Sequence, residues 1–301
     1  MRIAFVGLGL MGAPMAANLL RAGHALRVCD LRREAAGALV ALGAEWADDP
    51  ARGAELAFTS LPGPAEVEAW APRLFGALAP GAAWFDLSTN SPQVVRRLHA
   101  EGAARGIHFL DAPVSGGPRG AASGRLALWV GGERAAYERA LPVLAAIADR
   151  PLYVGPAGAG TVAKLAHNAA SFMVQTALAE AMTLGVKAGV EPLALFRALR
   201  QGATGRARTF DRLAEQFLPG RFDPPAFALR LAHKDMSLAV DLARSLGVPM
   251  HAGEHALAEL SEALARGWGE RDARVAMTLQ EERAGVAVRV PPEALGDALA
   301  D

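Results

Sequence analysis

Short apolar runs alternate with helical patterns over the first half of the chain. The runs at 2–7, 25–30, 55–60, 83–87, 107–111, 126–130 and 152–154 predict strands. Between them, 11–22, 33–42, 92–105 and 135–147 carry the 3.6-residue spacing of helices, with Gly23, Gly43 and Gly106 placed as C-terminal stops. Strand and helix in alternation predict a parallel-rich sheet covered by helices. After the glycine-rich turn at 155–160 the strand pattern ends. Stretches rich in Ala, Leu, Glu and Arg follow at 161–188, 192–201, 209–217, 227–246, 253–266 and 271–283. The expected architecture is an α/β Rossmann-like domain over 1–160 and an all-α domain over 161–301, joined by a long helix that would line a shared cleft. The tail from Ala284 has no clear period and reads as a partly ordered extension.

Composition narrows the function classes. The 301 residues are 52% hydrophobic and 21% charged, with 31 basic and 31 acidic side chains. Zero formal charge offers no electrostatic reason to expect nucleic acid or an anionic membrane as partner. The expected partner is a small molecule. One cysteine, Cys29, fits a reducing, cytoplasmic setting and excludes cysteine-built metal sites. The most apolar helical stretch, 165–190, is broken by His167, Gln175, Glu180 and Lys187, so no membrane span is expected.

The first twenty residues could pass for a secretory leader, but their glycines have another use. Gly7, Gly9 and Gly12 form GxGxxG between the first strand and the first helix, and Asp30 ends the second strand. The first glycine permits a tight turn, the second admits a pyrophosphate, and the third lets helix pack on strand. The loop, Leu10 and Met11 included, then offers N–H groups to the phosphates. A carboxylate at Asp30 accepts ribose hydroxyls and repels a 2′-phosphate, which favours NAD. Arg32 and Arg33 follow directly and keep NADP possible.

Five stretches in order resemble one family, the β-hydroxyacid dehydrogenases typified by 3-hydroxyisobutyrate dehydrogenase. They are GLGLMGAPMAANL at 7–19, DLST at 86–89, DAPVSGGPRGAASGRL at 111–126, GAGTVAKLAHN at 158–168 and LAHKDMSLA at 231–239. The resemblance implies hydride transfer between NAD(H) and a short β-hydroxyacid or its semialdehyde. It also implies roles. Lys164 matches the catalytic lysine and Asn168 the amide that orients substrate. Ser115, Gly116 and Gly117 match the turn that holds the substrate carboxylate. Thr89, Leu61 and Pro62 match cofactor contacts, and Lys234 with Asp235 match a pair closing over the cofactor site. Asn90, His167 and Arg125 depart from the usual residues, His167 standing where Asn is common. Homodimers or homotetramers are expected. Alternatives are an imine reductase, a semialdehyde or glyoxylate reductase using NADPH, and a non-catalytic dinucleotide-binding scaffold.

Two further signals rest on residue chemistry alone. Of 31 basic residues only Lys164, Lys187 and Lys234 are lysine. Arginine cannot be deprotonated, whereas a desolvated lysine can exchange a proton near working pH, so lysine at two motif positions points to proton transfer. HAGEH at 251–255 satisfies a zinc-protease string. It follows Pro249 and contains Gly253, so it reads as a helix start, with no metal expected. Glu281 and Glu282 read as solvated helix surface.

Overall fold

The computed structural model describes residues 1–206 and 211–299, with Lys234 and Asp235 described by backbone alone. Two compact units divide at 170/171: Met1–Ala170 and Ser171–Asp301.

The first unit holds nine strands: β1 (Arg2–Val6), β2 (Ala25–Cys29), β3 (Glu45–Trp46), β4 (Leu56–Thr59), β5 (Ala83–Asp86), β6 (His108–Asp111), β7 (Val114–Ser115), β8 (Ala127–Gly131) and β9 (Leu152–Gly155). They run in the order β3-β2-β1-β4-β5-β6-β8-β7, with β9 on β8. Pairings from β3 to β6 are parallel, while β8 runs antiparallel to β6 and β7. The helices are α1 (Gly12–Arg21), α2 (Gly37–Ala41), α3 (Pro64–Ala77), α4 (Pro92–Ala103), α5 (Gly117–Ser123), α6 (Arg134–Leu144) and α7 (Ala159–Lys187), the last crossing the division between units.

Residues along β1 alternate between two cores, which explains its unbroken apolar run. Ile3 and Phe5 join one cluster with Met15, Leu19, Phe58 and Phe85; Ala4 and Val6 join the other with Leu74, Phe75, Trp84 and Phe109. Phe58 stacks between Phe5 and Phe85 at 6.0 and 5.6 Å, and Trp84 meets Phe75 and Phe109 edge-on at 5.2 and 4.6 Å. Truncating such a ring costs about 3–5 kcal/mol. The sheet is thereby rigid enough to present the loops at its C-terminal edge.

The second unit is helical: α8 (Pro192–Gln201), α9 (Ala203–Arg206), α10 (Leu229–Leu246), α11 (His251–Ala265), α12 (Thr278–Ala284) and α13 (Pro292–Leu299), with 3-10 turns at Asp211–Ala214 and Ala273–Met277. Part of the helix expected at 209–217 lies outside the described residues. Its core gathers Phe217, Phe222, Leu229, Ala263, Val275 and Leu279.

Two expectations are corrected here. Glu281 is buried rather than solvated: Arg289 donates to both its oxygens at 2.6 and 2.8 Å and the Val288 N–H donates at 2.5 Å. The tail expected to be loosely ordered is tied by that pair and by the Val290 N–H to Leu218 O at 2.9 Å, and it ends in α13. Charge pairing eight residues apart, invisible to helical periodicity, accounts for the first and for part of the second. HAGEH opens α11, where Glu180 accepts the N–H groups of Ala252 and Gly253 at 2.9 and 3.0 Å. Among the described residues no group of three or more His, Cys, Asp or Glu is gathered as a metal site, and no helix is long and apolar enough to cross a membrane.

Candidate functional site

The glycine loop leaves β1 at Gly7, whose φ of +91° and donated bond to Cys29 O at 2.9 Å set the tight turn. A Cβ there would stand 2.2 Å from Ser60 O, and one on Gly12 would stand 1.9 Å from Gly7 O. Only glycine fits either place. Gly9, by contrast, faces open space. A cleft of about 580 Å³ begins there, lined by Leu10, Met11, Asp30, Leu61, Pro62 and Trp70 among others. Leu10 and Leu31 are 83% and 95% exposed beside it, apolar surface of the kind a ligand covers.

The polar groups of the cleft suit a dinucleotide. Asp30 Oδ2 accepts the Leu8 N–H at 2.7 Å and Oδ1 accepts the Arg32 N–H at 2.9 Å. Each oxygen keeps a lone pair for a ribose hydroxyl. Arg32 lines the cleft, whereas the Arg33 guanidinium lies over the Trp46 ring, 5.6 Å from its centroid. Glu66 and Trp70, one turn apart on α3, also line the cleft and were not singled out from sequence. The helix that carries them is not among those the sequence spacing predicts, so neither residue could be placed at the cleft beforehand.

Two loops meet over one buried carboxylate. Asp86, at the end of β5, has no exposed surface and accepts from Thr59 Oγ1 at 2.8 Å, Asn90 Nδ2 at 2.7 Å and the Ser88 N–H at 3.1 Å. Burial pushes its carboxyl above the ordinary range in spite of these donors. Ser88 Oγ in turn accepts the Leu61 N–H at 2.9 Å, so the loop carrying Leu61 and Pro62 is joined to the loop carrying Thr89. Thr89 stands exposed between buried Ser88 and Asn90. Asn90, a departure from the family pattern, has a structural task as a donor to Asp86.

A second buried carboxylate seats α7. Asp111 Oδ1 accepts the Gly158 N–H at 2.9 Å and Oδ2 the Thr161 N–H at 2.6 Å. These are orphan donors at a helix start. A Cβ on Gly131 would stand 2.6 Å from Asp111 Oδ1, and one on Gly160 would stand 2.8 Å from Asp111 O, so both glycines are needed for the approach. One turn on, α7 presents Lys164, His167 and Asn168, all half-buried, with Lys164 and Asn168 on one face. Desolvation by burial lowers the Lys164 ammonium pKa below that of a free lysine.

The strand that ends at Asp111 continues through β7 to Ser115, Gly116 and Gly117. The two glycines take φ of +131° and +62°, turning the chain into α5. Ser115 Oγ is 3.1 Å from His167 Nε2, so this turn and the Lys164 segment of α7 are in contact. Sequence reading treated His167 as a departure and did not foresee that contact. Arg125 is exposed at the entry to β8. Lys234 and Asp235 fall in α10, but their side chains lie outside the described residues.

The chain is similar to known proteins over both units. Residues 2–155 match the NAD-binding domain of 6-phosphogluconate dehydrogenase, and 158–279 the NAD-binding domain of NADP-dependent 3-hydroxyisobutyrate dehydrogenase. The NAD-dependent L-serine dehydrogenase of Pseudomonas aeruginosa is 37% identical over 295 residues, covering 94% of this chain and 99% of that one. The 3-hydroxyisobutyrate dehydrogenase of the same organism is 38% identical over 255 residues, 81% of this chain and 86% of that one. Among solved structures, Mycobacterium tuberculosis 3-hydroxyisobutyrate dehydrogenase with L-serine is 34% identical, with a TM-score of 0.65 over 92% of this chain and 98% of that one. Similarity at this level, over both units, means that the chain belongs to the β-hydroxyacid dehydrogenase family.

Proposed function

We propose that the protein is an oxidoreductase that passes hydride between NAD(H) and the carbinol carbon of a short β-hydroxyacid, or in reverse the aldehyde carbon of its semialdehyde. A bound nicotinamide supplies the hydride acceptor or donor. Lys164 handles the proton: its neutral amine takes the hydroxyl proton during oxidation, and its ammonium returns one to the forming alkoxide during reduction. Asn168, on the same helix face, orients the hydroxyl end. Ser115, Gly116 and Gly117 fix the carboxylate, so geometry carries much of the rate. Gly7, Gly9, Leu10, Met11 and Gly12 hold the pyrophosphate, Asp30 the adenosine ribose, Leu61 and Pro62 run along the dinucleotide, and Thr89 meets it near the nicotinamide. Lys234 and Asp235 belong to the same reading as a pair from the helical unit.

The observation that carries this reading is the half-buried Lys164, its pKa lowered by desolvation, on the helix that touches the Ser115 turn. NAD is the preferred cofactor because Asp30 lines the cleft and Arg33 is occupied with Trp46. A homodimer or homotetramer is part of it, supported by exposed Leu178, Val186, Leu193 and Phe196 on α7 and α8. So is a cytoplasmic location, supported by a chain whose single cysteine requires no disulfide. The experiment is NADH oxidation followed over a panel of short acids: methylmalonate, tartronate and succinate semialdehydes and glyoxylate. Turnover of at least one three- or four-carbon aldehydo-acid is expected. NADH binding without turnover of any would instead mark a dinucleotide-binding scaffold.

A further inference from the structure

His167 stands one turn after Lys164 and directly before Asn168. Its Nε2 lies 3.1 Å from Ser115 Oγ, and its ring leans on Trp129 of β8, with centroids 5.2 Å apart and planes tilted by 53°. Ser115 itself pairs with Ala127 in the same strand. The imidazole is therefore held between two residues of one rigid ribbon, with a ring nitrogen aimed at a hydroxyl.

That hydroxyl has a single proton. If Ser115 donates it to His167, the turn meets an incoming ligand with oxygen lone pairs, which a carboxylate avoids. If His167 donates instead, the Ser115 proton is free to point at the ligand. Bonds to a charged acceptor are roughly twice as strong as neutral ones, so a carboxylate gains most from the second arrangement. An ester carbonyl gains far less. Imidazole can adopt either role by changing tautomer, and the ligand selects between them through its differential affinity.

We propose that His167 is a specificity-determining residue, which by donating Nε2–H to Ser115 Oγ turns the serine proton toward the substrate and commits the turn to anionic head groups. This rests on the reading of Ser115–Gly117 as the acid-binding turn, and the test separates the two. His167 acts through Ser115 and takes no part in hydride or proton transfer.

A hydroxyacid bound beside NADH cannot react, since the cofactor is already reduced, so affinity is measurable without turnover. The NADH-saturated full-length protein is titrated by calorimetry with 3-hydroxyisobutyrate and with its methyl ester. Wild type should prefer the acid by about thirty-fold or more, as loss of a charge-assisted contact implies. Ser115→Ala should lose that preference. His167→Met, similar in bulk but without a donor, should lose it to about the same extent, and the double variant should fall no further than either single one. His167→Gln, whose amide nitrogen reaches about where Nε2 stands, should keep it. NADH affinity, read by fluorescence, should be unchanged in all four and reports folding. If His167→Met retains the preference that Ser115→Ala loses, the proposal is overturned and the acid-binding turn survives. If Ser115→Ala retains it, or wild type has none, the turn itself is misassigned and the proposal falls with it. If His167→Met does not bind NADH, His167→Leu replaces it; failure of both beside an intact His167→Gln marks a packing role and also overturns the proposal.

Discussion

Asp30 Oδ2 accepts the backbone N–H of Leu8 at 2.7 Å, so the acid at the end of β2 also fastens the glycine loop at the end of β1. Cofactor choice and loop geometry are thereby joined in one side chain. Asp30→Ser should narrow the preference for NADH over NADPH, because the charge facing a 2′-phosphate is gone while Arg32 remains. It should also weaken NADH binding itself, by on the order of ten-fold for about 1.4 kcal/mol, since Leu8 loses a charge-assisted acceptor. Fluorescence titration with both cofactors checks this. NADH affinity at the wild-type level would show that the bond to Leu8 contributes nothing.

Asp86 couples the loop after β4 to the loop after β5 through Thr59, Ser88 and Asn90. Asp86→Ala removes the shared acceptor from three buried donors, each costing about 1–3 kcal/mol when left unsatisfied. The expected result is a lower melting temperature together with at least ten-fold weaker NADH binding. Asn90→Ala should reproduce a milder form of both. Cofactor affinity that survives while stability falls would separate the buried network from the cofactor cleft.

How much of this was legible in the sequence depended on whether a feature was local. β1 and β4 were legible because strands buried on both faces are apolar at nearly every position, and the glycine loop because its three glycines fall within six residues of sequence. The two-residue strands β3 and β7 carry no pattern to read, and an apolar run such as β8 has no direction written in it, so its antiparallel pairing could only be seen in the fold. At the site, residue types were legible and partnerships were not. DLST was visible as a motif, yet the task of Asp86 depends on Thr59, which lies 27 residues away. Glu281 looked like surface because its partner Arg289 lies beyond the end of its own helix.

Asp272 performs a comparable task in the helical unit. Fully buried, it accepts from the N–H groups of Ala226, Phe227 and Arg274 and from the Arg274 guanidinium. Burial alone would raise its carboxyl, but these donors more than offset that and hold it below its ordinary range. Asp272→Ala should destabilise the protein by about 3–5 kcal/mol, as breaking a buried pair does. A folded-state pKa below the unfolded one means that this contribution is present above about pH 4 and is lost as pH falls through the folded value. The gap between wild-type and variant denaturation midpoints should therefore shrink in acid. A gap that widens in acid would contradict the assignment.

Lys164 sets the expected pH dependence of the reaction. Because burial lowers its pKa, the neutral amine is populated at lower pH than for a free lysine near 10.4. Alcohol oxidation by wild type should rise with pH and level off below that value. Reduction, which needs the ammonium, should fall over the same range. Steady-state rates in both directions from pH 6 to 10 check the two signs; parallel profiles would exclude a shared group.

Proton transfer by Lys164 is tested by alcohol oxidation with Lys164→Ala and Lys164→Arg at saturating NAD. Both should bind NADH as wild type does, since the dinucleotide cleft is built from the loops of the first unit. Lys164→Ala should lose roughly 10²–10⁴-fold in kcat, the range for removing a general base. Lys164→Arg keeps a cation but supplies no neutral base, so it should be nearly as slow. Substantial oxidation by Lys164→Arg, with a pH profile unchanged from wild type, would contradict the claim and place the base elsewhere.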